Sequence, residues 1–137
     1  MEKATITECE EQITKEDIAK FEIKFQFELP DNYKQLLLNY NGGVNSNDNM
    51  VLDQLFSLKH GELTIEEFIN DMQILEKNIP RKYLPIGMTG TGNIITLHLE
   101  KGSNYGKLFL FRNDLTKHNL ANSLEELLGV HHIGELD

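Results

Sequence analysis

The chain of 137 residues has one cysteine, few bases and no long apolar run: 13 lysines and arginines stand against 22 aspartates and glutamates. Each shortage excludes something. A lone Cys9 cannot close an internal disulfide, and its neighbours Glu8, Glu10 and Glu11 oppose the thiolate, so it reads as an incidental thiol. The longest apolar stretches, residues 36–38 and 108–111, fall far below the roughly 20 residues of a membrane span. The opening MEKATITECEEQITKED lacks the continuous apolar stretch of a secretory leader, which points to the cytoplasm. The net charge of −9 repels nucleic acid phosphates and attracts a cationic surface.

Catalytic and cofactor motifs are also missing. No GxSxG turn is present, and no cysteine has a plausible histidine partner. Adjacent His131 and His132 point in different directions in any regular backbone, and His60, His98 and His118 are scattered singles, so the histidines read as exposed and non-functional and no zinc-ligand spacing emerges. The carboxylate pairs Glu10/Glu11, Glu66/Glu67 and Glu125/Glu126 have no apolar surroundings that would split their pKa values. The glycine-rich stretch Gly87-Met88-Thr89-Gly90-Thr91-Gly92-Asn93 lacks the Lys-Ser/Thr ending of a phosphate loop and leads into a strand rather than a helix N-terminus, so it reads as a turn or bulge between strands. The chain is expected to be no enzyme and to need no cofactor or metal.

What is present is a set of locally consistent elements. Thr14 can cap Asp17, with Ile13 and Ile18 as a hydrophobic staple and Ile18, Phe21 and Phe25 as the buried stripe of a first helix. Pro30 suits the first turn of a second helix, with Asp31 at its positive end and Tyr33, Leu36, Leu37 and Tyr40 on one face. Asn41, Gly42 and Gly43 can adopt the left-handed conformation that stops it. A polar loop over residues 45–49 precedes an apolar segment, residues 50–58. Thr64 and Glu67 open a third helix with Ile65, Phe68, Ile69 and Met72 inward, Met72 reading as core filler. Residues 93–100 alternate as a half-buried strand, Ile95, Leu97 and Leu99 on one face and Thr96, His98 and Glu100 on the other. Turn chemistry over residues 101–106 joins it to a partner strand, residues 107–112. Ser123 and Glu126 open a last helix that buries Leu124, Leu127 and Leu128 and stops at Gly129. Without βαβ alternation, repeats or a domain boundary, the expectation is a single α+β domain over residues 1–137, an antiparallel sheet packed against helices.

The acidity is uneven: residues 1–79 hold 16 acids against 7 bases, and residues 80–137 hold 6 of each. Charge location nominates Asp48, Asp53, Glu62, Glu66 and Asp71 as carboxylates that would meet a basic partner.

Two segments carry a family resemblance. LPDNYKQLLLNYNGG (residues 29–43) is similar to the LPxxYKxxLxxYNGG course of SUKH domains, through Pro30, Tyr33, Asn41, Gly42 and Gly43; the strand entry LPIGMTGTGN resembles IPIGxxGxGD, through Gly87, Gly90 and Gly92; and SLEELL resembles their closing SLxELL. The likeness spans residues 14–128, with Asn93 where the family often has an acid. It implies the SUKH α+β fold and, in the bacterial branch, an immunity protein that binds and neutralises a polymorphic toxin, often a nuclease, as a monomer or weak homodimer. The acidic first part is a physical counterpart to the basic active-site surface of such a toxin. A regulatory adaptor for an endogenous cytoplasmic partner, as in fungal members, and a small-ligand or nucleotide site at the Thr89–Asn93 turn are the rival readings.

Overall fold

A computed structural model describes residues 3 to 136. They form one antiparallel sheet of seven strands: β1 (Ile6–Thr7), β2 (Gly43–Asn45), β3 (Leu52–Leu55), β4 (Tyr83–Thr89), β5 (Ile94–His98), β6 (Leu108–Phe111) and β7 (Lys117–Ala121). Spatial order repeats chain order from β1 to β7. Four α-helices sit in the connections and after the last strand: α1 (Lys15–Phe25), α2 (Asp31–Asn39), α3 (Ile65–Phe68) and α4 (Leu124–Leu128). The fold is α+β, as the sequence implied. Among the described residues, no helix is long and apolar enough to cross a membrane.

The helix starts follow their caps. Thr14 Oγ1 accepts from Asp17 N (3.2 Å) while the Asp17 carboxylate accepts from Thr14 N (2.9 Å), a reciprocal box. The Thr64 and Ser123 hydroxyls accept from the N–H groups of Glu67 (3.3 Å) and Glu126 (3.0 Å). Ile18, Phe21 and Phe25 of α1, Tyr33, Leu36 and Leu37 of α2, and Leu124, Leu127 and Leu128 of α4 are buried and share one core with the sheet. Each such large side chain withdrawn from water contributes about 1.5–3 kcal/mol.

Four expectations change. Strand β1 was not anticipated; two residues are too few to show alternation, and β1 forms because it pairs with β2, Ile6 opposite Asn45 and Thr7 opposite Val44. Asn45 does not start a polar loop but ends β2 as a buried residue, its Oδ1 accepting from Thr5 N (2.9 Å) and its Nδ2 donating to Leu52 O (2.9 Å). Strand β5 is buried on both faces rather than one, Thr96 and His98 included, because it lies inside the sheet and aromatic rings of Tyr83 and Phe109 cover its second face. His98 is therefore 4% exposed, against the expectation of surface histidines.

The fourth concerns α3, which continues as a π-helix (Ile69–Leu75) with a five-residue bond from Glu76 N to Asp71 O (3.0 Å). Its buried positions Ile65, Ile69 and Gln73 recur every four residues, more than an α-turn's 3.6, and the wider turn keeps them on one face. Gln73 is turned inward, where its Nε2 donates to the carbonyls of Pro80 and Tyr83 at the entry to β4.

The glycine-rich stretch is a strand and a hairpin turn. Gly87 lies within β4, where a Cβ would sit 2.5 Å from Gln54 O of β3, so close pairing of the two strands requires glycine. The turn to β5 is closed by Gly92 N donating to Thr89 O (3.0 Å) and Asn93 N donating to Thr89 Oγ1 (3.1 Å). At Gly90 a Cβ would meet nothing within 4 Å.

Candidate functional site

The motif Asn41-Gly42-Gly43 does not stop α2. That helix ends at Asn39, and Tyr40 follows in extended conformation. Gly42 and Gly43 instead form part of the floor of a groove, and Asn41 holds that floor in place from beneath. Asn41 is buried and joins three segments: its Nδ2 donates to Glu11 O and Lys59 O (2.8 Å each), and its Oδ1 accepts from Leu58 N (2.8 Å). Its own carbonyl accepts from Glu10 N (3.0 Å), fixing the arm that carries Glu8 and Glu10. Gly42 (φ +76) lies against Ser57, a Cβ there falling 3.0 Å from Ser57 Cβ and N. Gly43 (φ +129) lies against β1, a Cβ there falling 2.7 Å from Thr7 O. A side chain at Gly42 would displace Ser57, and one at Gly43 would lift β1.

The groove holds about 340 Å³ and is lined by Glu8, Glu10, Gln54, Gly61, Glu62 and Leu63 around the two glycines. Glu8 (φ 55) and His60 (φ 75) take the left-handed backbone beside it, as does Gly61 (φ +85), where a Cβ would run into the Glu10 carboxylate. For L-residues other than glycine such conformations cost about 1–2 kcal/mol each, and strain of this kind tends to collect where a surface is shaped for contact. His60 Nε2 stands 3.5 Å from Glu11 Oε2. Cys9, exposed, has its thiol pushed up, first by partial burial of the sulfur and also by the Glu10 charge. The groove therefore presents the carboxylates of Glu8, Glu10 and Glu62 over glycine backbone, an arrangement suited to holding cationic side chains.

Of the five acids nominated from charge location, only Glu62 belongs to this groove. Glu66 lies beyond it and is paired with Lys24 (2.9 Å). Asp48 is exposed in the turn between β2 and β3, Asp53 is exposed on β3 and Asp71 is exposed on the π-helix. Glu8, noted in the sequence as a neighbour of Cys9, and Glu10, noted there and as a pair with Glu11, are the missed wall residues. The signal that could have found them is the pairing of the Asn41–Gly43 floor with the amino-terminal arm, which no local pattern reveals. Nearby Asp17 has its carboxyl lowered to about 2, chiefly by the Lys59 ammonium (2.8 Å) and then by Thr14 N.

The model of the SMI1 / KNR4 family (SUKH-1) matches residues 12–129. The chain belongs to that family. A search of curated proteins gave no match. Membership supports a protein as the kind of partner and is consistent with an immunity-type role.

Proposed function

We propose that this chain is an immunity protein that acts in the cytoplasm by contact and without catalysis: it binds a cognate polymorphic toxin of nuclease type and covers the toxin's basic active-site surface. The observation that carries the reading is the groove in which Glu8, Glu10 and Glu62 stand over a glycine floor, in a chain of the SMI1 / KNR4 family. A nuclease cleft holds cationic groups spaced for phosphates, and carboxylates on a rigid frame supply the complementary potential. Because the floor is backbone with no side chains above it, lysine or arginine side chains of the partner can reach in without displacing anything. Like charges on the free protein raise its energy slightly and favour association with a cation.

Co-expression with the toxin candidate encoded beside the gene tests the class: growth rescue and co-purification are expected. The triple variant E8K/E10K/E62K should slow association at least tenfold and flatten its salt dependence, whereas D48K/D53K/D71K should change both far less. Rescue and salt dependence unaffected by the first variant would refute the electrostatic mechanism.

A further inference from the structure

A second groove, of about 300 Å³, lies where the π-helix faces the sheet; its walls include Phe68 and Met72 on one bank, Met88 and Phe111 on the sheet, and Arg112 and Leu115 on the loop between β6 and β7. Its volume is about ten water molecules' share of the liquid, enough for a pair of apolar side chains. Unlike the first groove it is apolar, and Arg112 is the one charged residue among those that line it.

Both banks break local rules. One is the π-helical segment, a form rare in proteins and common at functional places, which leaves Met72 half-buried, packed against the core and lining the groove, and leaves Ile74 and Leu75 exposed. The other is Leu115, which holds φ +68 and stays 49% exposed, an apolar residue paying a backbone cost with no polar side-chain bond to offset it. That bank is rigid: Leu115 N donates to Arg112 O (2.8 Å), Arg112 N donates to Thr116 O (3.0 Å), and the Asp114 carboxylate accepts from Thr116 N (3.0 Å) and Oγ1 (2.6 Å). The Asp114 carboxylate is engaged by Thr116 and also feels the Arg112 charge, but among the described residues no carboxylate stands within ion-pair distance of the Arg112 guanidinium.

We propose that this groove docks a segment of a partner protein that presents two apolar side chains with a carboxylate beside them, the carboxylate pairing with Arg112. Methionine walls adapt to apolar side chains of differing shape, and the guanidinium, with no carboxylate within ion-pair distance, fixes the sign of the flanking charge. A second copy of this chain fits worse, since a two-fold contact here would bring Arg112 towards its own counterpart. The inference stands apart from the acidic groove and does not depend on the identity of that groove's partner.

The test uses the full chain with ¹³C-methyl methionine and two probe peptides, Ac-Leu-Glu-Leu-NH2 and Ac-Leu-Gln-Leu-NH2. Saturable shifts of the Met72 and Met88 methyls with Met50 unmoved are expected, the glutamate peptide binding about three- to five-fold more tightly. Arg112→Gln should erase that preference. Leu115→Gly should weaken both peptides without lowering Tm, because glycine relieves the left-handed backbone. Unmoved methyls, equal affinity for the two peptides, or a Tm loss of several degrees in Leu115→Gly would overturn the proposal. So would shifts of Met72 and Met88 on raising protein concentration alone, which would assign the groove to a second copy.

Discussion

Asn41→Ala is the perturbation that bears most directly on the candidate site. The side chain is 2% exposed and makes three hydrogen bonds of 2.8 Å, to Glu11 O, Lys59 O and Leu58 N. Alanine leaves all three partners unmet, but they are not equivalent. Leu58 is buried, so its orphaned N–H loses about 1–3 kcal/mol. Glu11 and Lys59 belong to exposed residues, so their carbonyls regain water and each loses at most about 1 kcal/mol. The expected loss is about 2–4 kcal/mol, a large part of an ordinary domain's margin and equivalent to a Tm drop of roughly 8–15 °C for a chain of this size. Urea unfolding followed by far-UV circular dichroism measures it, the chain having no tryptophan to report by fluorescence. Asn41→Asp keeps the acceptor for Leu58 but sets a carboxylate against two carbonyl oxygens; at neutral pH it should lose at least as much as alanine and recover part of the loss on acidification. An Asn41→Ala loss below about 1 kcal/mol at unchanged m-value would refute the idea that this side chain fastens the three segments together.

Other perturbations give separate tests. Gly87→Ala places a Cβ 2.5 Å from Gln54 O and should destabilise by about 1–3 kcal/mol, whereas Gly90→Ala meets nothing and should stay within about 0.5 kcal/mol; equal effects in chemical denaturation would contradict the close β3–β4 approach. His98 is buried with no partner for Nδ1, and burial first, then the Lys82 and Lys117 charges, hold its pKa below the ordinary value. A group depressed in the folded state adds stability above its unfolded pKa and loses it as pH falls through the folded one, so stability should fall below pH about 6.5 by at most about 1.4 kcal/mol per pH unit. His98→Phe should flatten that limb, and an unchanged slope would exclude His98 as its source. Lys117 Nζ donates to the Tyr83 hydroxyl (2.8 Å) and lies over the Tyr83 and Phe109 rings at 5.1 and 5.4 Å; Lys117→Met should cost about 1 kcal/mol in Tm-derived stability, and no loss would mean that the aliphatic stem alone does the covering.

The helices were legible because their signals are local. Thr14, Thr64 and Ser123 each announce a start within four residues, and the stripes of α1, α2 and α4 repeat at the helical period. What escaped depended on partners distant in sequence. Asn41 and the two glycines look like a helix stop because a left-handed glycine after a helix usually is one; here the same conformational freedom admits Ser57 against Gly42, 15 residues away, and Thr7 against Gly43, 36 residues away. His98 alternates like a surface residue, and only its place on an inner strand beneath Tyr83 and Phe109 buries it. Glu62 was nominated from charge alone, while Glu8 and Glu10 became visible as its companions once the arm through β1 was paired to β2.

Strand order gives the charge distribution its physical meaning. In a sheet whose spatial order repeats chain order, β1, β2 and β3 lie together at one edge, and the segments flanking them bring Glu8, Glu10 and Glu62 to one groove. The 16 acids of residues 1–79 do not all lie at that edge, since the segment of α1 and α2 reaches the later part of the chain through Glu28 with Lys101 (3.2 Å) and Asn32 with Glu125 (2.8 Å); the charge local to the edge is that of the groove. The free protein should therefore approach a cationic partner with its β1–β3 edge leading, before any contact forms. Neutralising Glu8, Glu10 and Glu62 to glutamine should lower the association rate and the slope of its logarithm against ionic strength, while neutralising Glu100, Glu125 and Glu126 removes the same charge from outside the groove and should leave the rate within about twofold. Stopped-flow association at several salt concentrations separates the two. Equal losses from both sets would show that net charge alone steers the encounter and that the arrangement of the strands contributes nothing to it.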